Sequence, residues 1–330
     1  MRLALVGLVL ALLVAMLVGC RQTGGEATLA VPTQAPTPAP VPTATFAPDL
    51  IRRSVTAGTF YPGDPEELVS MVEGYMGGLA PTEGRPIALI VPHAGYVYSG
   101  PVAAYAYAEL RGLDYEAVVL VGPNHYLRDL TGVAVYPGGA FETPLGLVPV
   151  HTELAQALLE ANPNFEGDPA LHRQEHALEA QLPFLQQVLP GTPIVPIILG
   201  RPTPENCHAV VDALVEVLQG RDVLIVASSD LSHYPAYEDA LVVDREILAA
   251  IETMDVQHFR ETIRMQMTQG IPNLQTTCCG EGAIAVVMEL APRLGADRVA
   301  VLYYANSGDV PIGDKRQVVG YGAVKFWKEE

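Results

Sequence analysis

Three times in this chain an apolar run ends in a short turn that carries histidine. The runs are ALIVPHAGY at 88–96, VVLVGPNHY at 118–126 and VLIVASSDLSHY at 223–234. Each predicts a buried strand, a stretch of Val, Leu, Ile and Ala closed by Pro, Gly, Asn or Ser. In an open α/β sheet the carboxyl ends of the strands form the crevice where ligands bind. His93, His125 and His233, remote in sequence, are therefore expected to share one pocket. Histidine is the commonest neutral metal ligand and the usual general base near neutral pH. The recurrence predicts a chemical site more strongly than any single motif here.

Helical patterns separate these runs. Asp64-Pro65-Glu66-Glu67 reads as a helix start with acids in the first turn, and the helix runs toward the glycines at 77–78. Further helices are expected at 151–160, 175–188, 204–219, 239–252, 255–265 and 281–291. Further strands are expected at 133–136, 193–199, 298–304 and 317–326. The alternation predicts an α/β fold, a three-layer sandwich with a central, mostly parallel or mixed sheet flanked by helices.

The N-terminus stands apart from this pattern. Arg2 precedes an apolar stretch, Leu3 to Val18, that ends in Leu17-Val18-Gly19-Cys20. A secretory signal has this form. The ending also resembles the bacterial lipobox, which implies cleavage before Cys20 and a lipid on Cys20. The alternative is an uncleaved membrane anchor. Either way the globular part is expected outside the cytoplasm, lipid-anchored to the outer face of the bacterial cytoplasmic membrane or in the periplasm. Residues 21–50, rich in Pro, Thr and Ala with almost no charge, read as an extended tether. Residues 51–330 are uniform in composition and read as a single domain.

The net charge of −18 argues against a nucleic-acid partner, because phosphates need a basic patch. Besides Cys20 the chain has Cys207 and the adjacent pair Cys278-Cys279, too few for a disulfide scaffold. Neighbouring Cα atoms are about 3.8 Å apart, and a disulfide needs about 4.4 Å or more. At least one thiol is therefore expected to be free, either inert and buried or held by a metal.

Around the histidines, Pro92 stiffens a strand exit, and Gly95 lets backbone approach a ligand. His125 repeats the arrangement one βα unit later. Asp230-Leu231-Ser232-His233 adds a carboxylate three residues from an imidazole, a spacing that puts both on one side of a helical turn. Asp230 would ligate a metal or orient His233 as a base. Ser228-Ser229 lacks the G-x-S-x-G elbow of a serine hydrolase. Glu175-His176-Ala177-Leu178-Glu179 would place Glu175 and Glu179 one helical turn apart beside His176. It lacks the second histidine of H-E-x-x-H, and the ordinary alternative is a solvated, acid-capped helix start. Cys279-Gly280 precedes the helix GAIAVVMEL, whose N-terminus favours a thiolate. Cys278 and Glu281 are its alternatives as ligand. His151, His172, His208 and His258 sit in ordinary surroundings and carry no expected role.

These motifs taken together resemble the Memo family, called AmmeMemoRadiSam system protein B in prokaryotes. The resemblance spans about residues 54–327. It rests on Ala57-Gly58-Thr59-Phe60-Tyr61, Pro92-His93-Ala94-Gly95-Tyr96, Gly122-Pro123-Asn124-His125, Glu175-His176-x-x-Glu179-x-Gln181-Leu182-Pro183, Ser228-Ser229-Asp230-x-x-His233 and Cys279-Gly280. It implies a fold similar to the LigB-like extradiol dioxygenases. It also implies metal ligation by His93, His125 and Cys279, with iron or copper as the ion and zinc as an alternative. Asp230, His233 and His176 would supply acid–base chemistry beside it. AMMECR-type and radical SAM proteins of the same system would be partners, and the substrate or ligand a small molecule. A thiolate in place of the dioxygenases' carboxylate favours softer ions. The expected function is redox or oxygenase-like chemistry. Non-catalytic capture of a metal, small molecule or peptide, and zinc hydrolysis, are the competing readings.

Overall fold

The computed structural model describes residues 46–329. The expected signal segment, Cys20 and the expected tether as far as residue 45 lie outside the described residues. No helix among the described residues is long and apolar enough to cross a membrane.

After a 3-10 turn at Pro48–Leu50, β1 (Ile51–Arg52) leads to α1 (Pro65–Met76), β2 (Pro86–Val91), α2 (Tyr96–Ala108) and β3 (Ala117–Pro123). Short strands follow: β4 (Val133–Val135), β5 (Ala140–Thr143) and β6 (Gly146–Pro149), then α3 (Thr152–Ala161) and β7 (Phe165–Glu166). Next come α4 (Leu182–Val188), β8 (Ile194–Leu199), α5 (Pro204–Val217) and β9 (Val223–Ser228). The chain closes through α6 (Tyr237–Glu252), α7 (Val256–Thr268), α8 (Glu281–Arg293), β10 (Arg298–Asn306) and β11 (Gly320–Trp327).

Local chemistry sets these boundaries. At α1 the Asp64 carboxylate accepts from the amides of Glu66 and Glu67, Pro65 occupies the first turn, and Leu68, Val72 and Met76 form the buried stripe. Every residue of β3, β8 and β9 is buried, as expected of central strands covered on both faces.

Eight strands form the main sheet in the order β10-β11-β2-β9-β3-β8-β4-β7. The centre, β2-β9-β3-β8, is parallel. β11 joins β2 antiparallel, β10 joins β11 antiparallel, and β4 joins β8 antiparallel. Helices α1, α2 and α4 pack on one face, and α3, α5, α6 and α8 on the other, with α7 against α6 and α8. This is the expected α/β sandwich with a mixed sheet. β9 enters between β2 and β3, so the three histidine-bearing exits are neighbours at one end of the sheet.

The structure departs from the sequence reading in five places. Residues 175–178 are not helical: a 3-10 turn spans Glu179–Gln181 and α4 begins only at Leu182. Local capping explains this, because the Glu175 carboxylate takes the Ala177 amide and competes with a helical ladder. Pro183 therefore opens α4 rather than interrupting a longer helix. Glu175 and Glu179 are both buried, not on a solvated face. The stretch from Asp230 to His233 forms no helical turn; His233 bridges Thr276 and Val319 instead. His172 is fully buried against Tyr136 and Phe141. A second, three-stranded sheet, β1-β5-β6, has no forerunner in the sequence reading; its strands are too short for a periodic signal.

Candidate metal centre

Register brings the site together. Val91 of β2 is paired with Ser228 of β9. His93 and Asp230 each lie two residues beyond that pair, so they leave the sheet side by side. The backbone amides of His93 and Ala94 both donate to the Asp230 carboxylate, at 2.8 and 3.2 Å. Asp230 is thus held by the neighbouring strand end. His233 makes a separate bond, its Nδ1 lying 2.8 Å from the Leu231 carbonyl oxygen.

Cys279 arrives from the other layer. An added Cβ at Gly280 would lie 2.5 Å from the Ser228 carbonyl oxygen and 2.6 Å from the Ser229 Cβ. Only glycine lets α8 press this closely on the end of β9. The Cys279 sulfur then sits 3.2 Å from His93 Nε2 and 3.3 Å from the Asp230 amide, which donates to it. Cys278 is also buried, and its backbone is held within its own turn: its carbonyl accepts from the Thr276 hydroxyl and its amide donates to that same oxygen. Glu281 pairs loosely with Arg260, 3.9 Å away.

The opposite flank is built by residues 175–181. His125 Nδ1 is 2.8 Å from one Glu175 carboxylate oxygen, and the His125 amide donates to the other at 2.7 Å. His176 stacks on His125 at 4.6 Å between ring centroids and meets His93 edge-on at 5.5 Å. Its Nδ1 lies 3.0 Å from the exposed Tyr126 hydroxyl. Glu179 points away from the histidines and anchors this segment. It accepts from Arg52, and from Ser54 Oγ, Thr56 Oγ1 and Tyr61 Oη at 2.7, 2.5 and 2.6 Å.

Among the described residues, two groups could hold a metal: His93 with His125 and His176, and His93 with Asp230 and Cys279. In each, the ligand atoms lie within 4.8 Å of one another. His93 belongs to both groups. The expected trio of His93, His125 and Cys279 is therefore divided between the two groups: each of the latter two stands close to His93. His176, expected beside the site, belongs to the imidazole group itself.

The donor set suits a cation. Burial, reinforced by the imidazoles of His125 and His233, pushes His93 well below its ordinary value, so its ring is neutral with a lone pair to offer. Burial and His93 likewise lower His176 to about 4. Burial raises both the Asp230 carboxyl and the Cys279 thiol. A cation reverses these last two preferences and draws a carboxylate and a thiolate at the expense of released protons. Arg52 has no forerunner in the sequence reading, and Glu179, Gln181 and Ser228 are named there without the supporting roles they take here. Their signal is burial of polar groups, which one sequence does not display.

The protein-family comparison matches a family described as "Memo-like protein" over residues 52–325. A MEMO1 family protein of Nitrosopumilus maritimus is 37% identical over 284 residues, covering 84% of this chain and all of that protein. One of Ignicoccus hospitalis is 38% identical over 296 residues, covering 84% of this chain and 99% of its own length. One of Thermotoga neapolitana is 37% identical over 291 residues, covering 82% and 98%. Among solved structures, uncharacterized protein JW3007 from Escherichia coli K12 aligns with a TM-score of 0.48 at 14% identity, covering 72% of this chain and 99% of that one.

Proposed function

Since this chain belongs to the Memo-like family, we propose that it is a metalloprotein whose centre is built on His93 and serves redox or oxygenase-like chemistry on a small substrate. One observation carries the proposal. Four potential ligand residues from four separate segments, His125, His176, Asp230 and Cys279, converge on a single, almost fully buried imidazole, that of His93. His93, His125 and Cys279 would hold the ion, with His176 and Asp230 in reach as further donors. An iron or copper ion would contribute Lewis acidity and electron transfer to this site; zinc would contribute the first alone.

The chain's own residues do the rest. Asp230 fixes the β2 exit through the His93 and Ala94 amides and so holds His93 in place. The Leu231 carbonyl can only accept, so a neutral His233 carries its proton on Nδ1. His233 Nε2 is then free to take a proton from a substrate hydroxyl or return one. Phe60 packs edge-on against His176 at 4.9 Å and supports that ring. Export on a lipid-modified Cys20, and association with AMMECR-type and radical SAM proteins, belong to the same reading.

The test is metal content. The protein is purified without added metal and titrated with iron(II), copper(I) and zinc(II). His93→Ala is expected to abolish stoichiometric binding, and His125→Ala and Cys279→Ser to weaken it sharply with the fold intact. Cys278→Ser should change nothing, and His233→Ala should keep the metal while losing turnover. Full occupancy in His93→Ala would end the proposal. Occupancy lost in His176→Ala but kept in Cys279→Ser would move the ion to the imidazole group.

A further inference from the structure

The segment that follows His172 reaches the Nδ1 atoms of two site imidazoles, His125 directly through Glu175 and His93 through Ser228, which Ala177 and Gln181 hold. We propose that Glu175 and Ser228 are positioning residues that fix His125 and His93 as their Nδ1–H tautomers, so that both present an unprotonated Nε2. The inference rests on the metal-centre reading for its purpose but on hydrogen-bond logic for its content.

The argument starts from acceptors that cannot be anything else. The Pro92 carbonyl accepts from Gln181 Nε2 at 3.0 Å, which fixes the orientation of that amide. Gln181 Oε1 then takes the Tyr107 hydroxyl at 2.7 Å, consistent with the same orientation. The other Gln181 Nε2 proton points at Ser228 Oγ, 2.7 Å away. Ser228 therefore accepts from Gln181. The single Ser228 hydroxyl proton goes to the Ala177 carbonyl at 2.7 Å, again an acceptor only. Ser228 has no proton left for His93. At 2.9 Å, the remaining contact is a bond donated by His93 Nδ1, and in the neutral ring Nε2 is left bare. This is the nitrogen 3.2 Å from the Cys279 sulfur.

At His125 the same outcome is reached by charge. Glu175 is buried, and its carboxylate receives the His125 amide, the His125 ring nitrogen and the Ala177 amide. An ionised carboxylate accepts and does not donate, so His125 Nδ1 carries the proton and Nε2 is free. Carboxylate partners of this kind orient a ligating ring and raise its basicity. Both devices belong to one stretch: Glu175 acts directly, and Ala177 and Gln181 act through Ser228. The Arg52–Glu179 pair locks that stretch against the segment at 52–61.

Histidine-selective 15N labelling of the full-length chain tests this without any metal, because two-bond 1H–15N correlations distinguish the tautomers directly. The wild type should show His93 and His125 as Nδ1–H forms. Ser228→Ala should release His93 to the Nε2–H form or a mixture while leaving His125 alone. Ser228→Thr, which keeps the hydroxyl, should restore it. Glu175→Gln should disturb His125 and spare His93. Zinc affinity should fall about 10- to 100-fold in Ser228→Ala and Glu175→Gln. Nε2–H forms in the wild type, or folded variants with unmoved tautomers, would overturn the proposal. A wild type that binds no zinc, iron or copper yet shows these tautomers and shifts would instead overturn the metal-centre reading and leave this one standing.

Discussion

Removing the Arg52 guanidinium while keeping its bulk, as in Arg52→Met, should cost about 3 kcal/mol at pH 7, and the loss should shrink in acid. Arg52 and Glu179 form an ion pair whose side chains are 1% and 0% exposed. Burial alone pushes the Glu179 carboxyl up. Arg52, with the hydroxyl donors of Thr56 and Tyr61, outweighs burial and holds it down, from 4.5 to about 2. That displacement corresponds to ~3 kcal/mol of folding free energy, at the lower edge of the about 3–5 kcal/mol typical of breaking a buried pair. The sign follows from linkage: a depressed carboxyl stabilises above about pH 4.5 and loses its contribution as pH falls through about 2. In Arg52→Met the carboxylate stays buried with its hydroxyl and amide donors but without its counter-charge. Protonating it below pH 4.5 relieves that burden, so wild type and variant should converge. Equilibrium urea unfolding followed by circular dichroism, at pH 7 and pH 3, measures both stabilities. A difference below about 1 kcal/mol at pH 7 would refute the reasoning. So would a difference of the same size at both pH values, because the loss would then come from packing or from the Arg52 bonds to the His172 and Glu175 carbonyls.

Asp244→Asn should act in the opposite direction. Burial raises the Asp244 carboxyl from 3.8 to about 6 against the pull of the Ser232 amide and the Tyr304 hydroxyl. The folded state thus holds the proton more tightly, and wild-type stability falls as pH rises from about 4 through 6, by ~3 kcal/mol in all. The neutral asparagine should flatten this slope and raise stability at pH 7.5; a slope unchanged in urea titrations would show that Asp244 is not its source. Gly280→Ala should displace α8 from β9 and weaken zinc binding at least tenfold, and wild-type affinity in this variant would show that the close approach is unnecessary. Cys20→Ser should leave the unprocessed mass and change membrane fractionation, whereas unchanged mass and fractionation would count against lipid attachment.

What the sequence by itself determined is the set of strand exits. Runs such as Val118–Val121 and Leu224–Ala227 bury on both faces of a sheet, as strands of a parallel sheet covered by helices do. The turn residues that stop them carry His93, His125 and Asp230, so the core of the site was legible as composition at strand ends. The alternation of helix and strand also fixed the layers, because the periods of 3.6 and 2 are local properties of the chain. Tertiary structure decided the rest. Insertion of β9 between β2 and β3 set which exits touch, and strand order has no local signature. The same insertion put the Asp230 carboxylate under the amides of His93 and Ala94. Glu175 and Glu179 read as a helical face because acids at that spacing usually are one; long-range partners, His125 and Arg52, pulled them inward instead. Ser228 looked like an idle hydroxyl. It gains a role only where Gln181 and Ala177, each about 50 residues away, exhaust its hydrogen-bonding capacity, and such a closed network exists only once distant segments have packed.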